Sequence, residues 1–139
     1  MPFQEKSAIV MTAILIVVYG AYFALLGLLL GRLPADEIPY QPLLIVAVVP
    51  LAVLAAFSHI ILALLNPKEA NANDERDRLI TLRAERIGGY ILAVGVFTGI
   101  TLAMVEVAWL YIANALMLAW VLAEVTEGTT KVVLYRRGT

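Results

Sequence analysis

The chain has 139 residues, 62% of them hydrophobic and 15% charged, with a net charge of −1 at pH 7. Its mean hydropathy is +0.89, which excludes a soluble domain of ordinary composition, and no global basic field draws nucleic acid as a direct partner. With no cysteine and one histidine, disulfides, thiolate zinc sites, Cys-ligated clusters and cysteine nucleophiles are excluded, and neither a metal nor another cofactor is expected.

A membrane-crossing helix needs about 20 predominantly apolar residues, because about 30 Å of hydrocarbon is crossed at 1.5 Å per residue and every backbone group must pair inside the helix. The first such run covers residues 7–31. It exceeds the roughly 7–15 apolar residues of a secretory signal, so it reads as a retained membrane helix. Pro34, Pro39 and Pro42 stop it from continuing, and Pro42 occupies a tolerated first position of a second helix over 42–65. Pro50 should kink that helix.

Asn66-Pro67 ends the second helix, and Asn73 caps a third whose first turn carries Asp74, Glu75 and Asp77, a charge pattern suited to a helix N-terminus. From Gly88 to Val133 the chain is too long for one crossing. Glu106, with Trp109 and Tyr111 beside it, marks the turn of a hairpin at a membrane interface. The third helix is expected over 73–105, about 50 Å long and so overshooting the bilayer, and the fourth over 109–135. The fold class is therefore all-α: one transmembrane domain over residues 1–139, an integral membrane four-helix bundle whose last two helices form a hairpin extending into the cytoplasm.

Orientation follows from the basic residues. Lys6, then Lys68, Arg76, Arg78, Arg83 and Arg86, then Lys131, Arg136 and Arg137 all fall on one side, with Arg32 alone opposite. The positive-inside rule makes the chain N-in and C-in.

A hairpin turning near residue 108 sets Glu127 within a turn of Arg86 and Lys131 opposite Glu85, a charge-complementary end that reads first as partly solvated ion pairs. By helical rise Glu124 lies about 24 Å from the turn and His59 about 25 Å from the opposite face. His59, Arg83, Arg86, Glu124 and Glu127 thus form a candidate polar cluster near the inner edge of the hydrocarbon, where ionisable groups are costly and often functional. On the fourth helix Ala113, Met117, Trp120, Glu124, Glu127 and Lys131 share a face that should look into the bundle. Asn114 beside it is expected to hydrogen-bond across helices. Gly20, Ala24, Gly27 and Gly31 form a small-residue stripe, and Gly95 and Gly99 repeat the spacing; such stripes pack within a bundle or form a dimer face.

Catalytic motifs are missing: there is no HExxH, GxSxG or P-loop, and Ser58 and His59, adjacent on one helix, point about 100° apart. An enzyme is not expected.

The run from Asn73 to Tyr90, with its Asp-Glu-Arg-Asp-Arg start, and the ending Leu134-Tyr-Arg-Arg-Gly138 resemble small uncharacterised bacterial four-helix membrane proteins of the domain of unknown function 2178 type. The resemblance covers mainly residues 73–138. It implies a multi-pass protein of the bacterial inner (cytoplasmic) membrane, and a helix-turn-helix regulator in the cytoplasm as partner; it implies no catalytic residues.

Two functions are carried forward. The first is a non-enzymatic regulatory or accessory interaction subunit in the lipid bilayer, offering Asp74, Glu75, Arg76, Asp77, Arg78, Arg136 and Arg137 to a cytoplasmic regulator, a larger membrane complex or anionic lipid. The alternative is a small homodimeric proton-coupled exporter using Glu124, although residues 7–31 hold no acidic group of the kind small exporters carry in their first helix.

Overall fold

The computed structural model describes residues 3–65 and 75–137. Four α-helices follow in order: α1 Phe3–Leu30, α2 Tyr40–Leu65, α3 Glu75–Met104 and α4 Trp109–Arg137, with a short 3-10 turn at Ala35–Glu37. In the later part of α2 only some side chains are described, and those of Pro50, Ser58 and His59 lie outside them, as do residues Lys68, Asn73 and Asp74 altogether. Three helices are each long and apolar enough to cross a membrane, Glu5–Leu30, Glu75–Met104 and Trp109–Arg137, and Tyr40–Val49 of α2 is apolar as well. That is the build of a membrane protein.

α1 starts a turn earlier than the apolar pattern alone indicates. Gln4, Glu5 and Lys6 are good helix formers, and Glu5 in the first turn complements the positive end of the helix dipole. At its other end Leu33 N–H donates to the Leu29 carbonyl at 2.8 Å, after which Pro34 prevents another turn. Ile38 is buried and holds the connecting loop against the helix ends.

The hairpin reverses over residues 105–108 through a Schellman closure. Val107 N–H reaches the Leu102 carbonyl at 3.2 Å and Glu106 N–H the Ala103 carbonyl at 3.1 Å, with Glu106 in the left-handed region at φ 55°. Glycine usually fills that position; here Glu106 does, so the sequence marks the turn by charge and not by a glycine.

α3 packs against α4, α4 against α1 and α1 against α2, so α4 and α1 are central while α2 and α3 flank them. The α3–α4 seam is made of small residues. A Cβ on Gly95 would collide with the Ala119 Cβ, one on Gly88 would lie 3.0 Å from the Ala123 carbonyl oxygen, and one on Gly99 would come 2.5 Å from Leu116 Cδ2. α4 meets α1 the same way, since a Cβ on Gly128 would collide with Thr12 Oγ1.

The first small-residue stripe behaves otherwise. Gly20, Ala24, Gly27 and Gly31 are exposed, and among the described residues Gly20 and Gly27 have nothing within 4 Å of a would-be Cβ. Tight packing inside the bundle is therefore not their role: α1 turns the face of Leu15, Tyr19, Tyr22 and Leu26 inward instead, because large side chains fill the α1–α4 interface above its close point at Gly128.

Gly95→Ala is expected to destabilise the bundle by about 1–3 kcal/mol, the usual cost of overpacking. Gly27→Ala should be neutral or raise stability by up to about 1 kcal/mol through helix propensity. Unfolding of both variants in one detergent checks the contrast, and equal effects would contradict the assignment of the two stripes.

Candidate functional site at the charged end of the bundle

The inward face of α4 changes character along its length. Near the hairpin Leu110 and Val121 join Leu15, Tyr19, Tyr22 and Leu26 of α1 in the core, and Met117 and Trp120 pack against it. Tyr19, only 1% exposed, meets Trp120 edge-on at 5.9 Å and 88° between ring planes, and Tyr22 at 6.4 Å and 78°; edge-to-face pairing of this kind adds about 0.5–1.5 kcal/mol beyond burial. Asn114 is buried and bonded through both its polar atoms: its Nδ2 donates to the Leu110 carbonyl at 2.8 Å, and its Oδ1 accepts from the Tyr22 hydroxyl at 2.6 Å. The expected cross-helix bond is this one.

Toward the charged end the same face bears Glu124, Glu127 and Lys131. A cavity of about 270 Å³ lies beside the Gly128–Thr12 contact, walled by Ser7, Met11, Thr12 and Leu15 of α1 against Glu124, Glu127 and Lys131 of α4. Lys131 Nζ donates to Glu127 Oε1 at 2.7 Å. This pair lies along one helix, a spacing that contributes about 0.3–0.5 kcal/mol at a solvated site.

The expected cross-hairpin ion pairs do not form. The register is close to that anticipated, since Gly88 faces Ala123 and Glu127. However, α3 buries Ile80, Ala84, Gly88 and Gly99, and Arg83, Glu85 and Arg86 lie off that stripe and are exposed. Neighbouring residues on a helix diverge by about 100°, so a correct register does not bring their charges to Glu127 or Lys131. Of the candidate cluster, Glu124 and Glu127 share the cavity, Arg83 and Arg86 stand outside it, and the His59 side chain lies outside the described residues. The cavity is walled by α1 and α4, and α2 packs principally on α1.

On the candidate partner surface Glu75, Arg76, Arg78, Arg136 and Arg137 are exposed and Asp77 is half-buried, while Asp74 lies outside the described residues. Arg136 Nε donates to Glu5 Oε1 at 3.4 Å, and the Glu5 side chain is buried. This contact ties the first turn of α1 to the last turn of α4. Beside it the Tyr135 hydroxyl is buried without a hydrogen-bond partner among the described residues, in the field of Asp77, Arg76 and Glu5.

Sequence reasoning missed Glu5, Ser7, Thr12, Tyr22 and Tyr135. For Glu5 there was a signal: an acid in the first turn of α1 and bases in the last turn of α4, at ends that an N-in, C-in reading brings to one side. Among the described residues no group of three or more His, Asp or Glu side chains is arranged to hold a metal.

Tyr22→Phe and Asn114→Ala should each lower stability, with a coupling of about 0.6–1.7 kcal/mol between them in a double-mutant cycle, the range seen for hydrogen bonds between membrane helices. Strict additivity would show that the bond contributes nothing. In comparisons with known proteins, no family model, curated protein or solved structure matches the chain.

Proposed function

We propose that the chain is a four-span protein of the bacterial inner membrane, N-in and C-in, and acts as a non-enzymatic regulatory or accessory subunit that offers the charged start of α3 to a cytoplasmic partner. Support for the orientation is the distribution of Lys and Arg, with Arg32 alone on the loop between α1 and α2. The observation that carries the function is the state of α3 as a flanking helix. It packs only one face on α4, through Ile80, Ala84 and Gly88, and leaves Arg76, Arg78, Arg83 and Arg86 exposed with no ion-pair partner among the described residues.

Four guanidiniums without carboxylate partners among the described residues, projecting from a helix longer than the membrane requires, suit a planar acidic surface. Arginine offers several donors in a fixed fork and retains its charge at any physiological pH. An acidic cytoplasmic protein, such as the regulator implied by the resemblance to proteins of the domain of unknown function 2178 type, meets that requirement.

A homodimeric exporter is the second reading, and Glu124 lining the α1–α4 cavity is the observation in its favour. It ranks lower because no acidic residue stands on the inward face of α1 beyond Glu5.

Purification of the tagged protein in mild detergent from its native membrane, followed by mass spectrometry, tests the leading reading. Recovery of a cytoplasmic protein or membrane complex is expected, reduced at least tenfold in Arg83→Ala/Arg86→Ala at equal amounts of folded bait. Equal recovery with the double variant, or no co-purifying protein at all, would refute it.

A further inference from the structure

The α1–α4 cavity has an unbalanced charge. Two carboxylates, Glu124 and Glu127, and one ammonium, Lys131, line it, and Lys131 is committed by its 2.7 Å bond to Glu127. Of the two, Glu124 has no salt-bridge partner among the described residues and is half-buried. The hydroxyl groups present are those of Thr12 and Ser7. Ser7 is only 6% exposed, borders the cavity and makes no side-chain hydrogen bond among the described residues. Polar groups in a finished core are nearly always satisfied, so an unpaired Ser7 hydroxyl at the outer end of this open space and a Glu124 carboxylate without an ion pair at its deep end mark a space suited to a polar occupant.

We infer that this cavity binds a small amphipathic primary amine in its protonated form, with the ammonium held by Glu124 and the Thr12 hydroxyl and the apolar body against Met11 and Leu15. The helices run antiparallel and touch at Gly128 and Thr12, so Glu124 lies about 6 Å beyond that contact along α4, at the level of Leu15. Ser7 and Lys131 lie toward the chain ends on the other side of the contact. The space is thus elongated, apolar and acidic at its deep end and polar at its outer end. An ammonium donates three hydrogen bonds and accepts none. A carboxylate and a hydroxyl answer that pattern, whereas a neutral molecule of the same shape brings no cation to Glu124.

The inference is independent of the interaction reading. It touches the exporter reading at Glu124 alone and requires neither transport nor proton release.

Titration calorimetry of the full-length protein in nanodiscs with 2-phenylethylammonium, against its neutral isostere 2-phenylethanol, is the test. Saturable binding of the amine is expected, at least tenfold tighter than that of the alcohol and weakened at least tenfold by Glu124→Gln. A folded Thr12→Val variant, which removes only the hydroxyl that meets the ammonium, should weaken it by a few-fold and serves if Glu124→Gln does not fold. Absence of saturable binding, equal affinity for amine and alcohol, or full affinity in both variants would overturn the assignment.

Discussion

Within hydrocarbon, two apolar helices gain nothing by hiding from water, since lipid tails are as apolar as leucine. Association then depends on how closely the backbones approach, and here that is set by α4. Gly95 against Ala119 and Gly88 against Ala123 bring α3 onto one side of it, and Gly128 against Thr12 brings α1 onto another. Everything else follows from those contacts. The Tyr22–Asn114 bond and the Tyr19–Trp120 edge contact lie in the α1–α4 interface, and the cavity lies between the same two helices beside their close point.

The same constraint explains why α3 looks outward. A seam of glycine and alanine uses a narrow stripe of the helix, and most side chains off that stripe are exposed among the described residues. In the membrane-spanning part these are Tyr90, Val94 and Phe97, all exposed and suited to lipid. In the first turns they are arginines. One packing solution thus yields both a membrane anchor and a charged projection, a division of labour that the proposed function uses.

How much of this was legible can be followed residue by residue. Helix extents were readable from apolar run lengths, and the hairpin turn from Glu106, because burying a charge in hydrocarbon costs more than ending a helix there. The face of α4 read as inward from spacing is half-buried throughout, with Met117 and Trp120 packed on the core, while the buried positions are Leu110, Asn114, Ala119, Val121, Ala123 and Tyr135. What was not readable is rotation about each helix axis. An apolar helix in lipid has no polar face to mark its outside, so the stripe of Gly20, Ala24, Gly27 and Gly31 and the seam of Gly95 and Gly99 look alike in sequence, though only the second packs. Arg86 and Glu127 were expected to pair on register alone, yet rotation of α3 separates them. Relations between distant segments, Glu5 bonded to Arg136 and Ser7 lining one cavity with Glu124, required the order in which the helices pack.

The central claim is that the start of α1, the start of α3 and the end of α4 share the cytoplasmic face. Because the chain contains no cysteine, single cysteines can be introduced without background and probed with a membrane-impermeant maleimide. The account expects Arg78→Cys and Arg137→Cys to be labelled in inside-out vesicles and protected in intact spheroplasts, with Asp36→Cys showing the reverse. Labelling of Arg78→Cys from the outside of intact spheroplasts would contradict the orientation and, with it, the proposed partner surface.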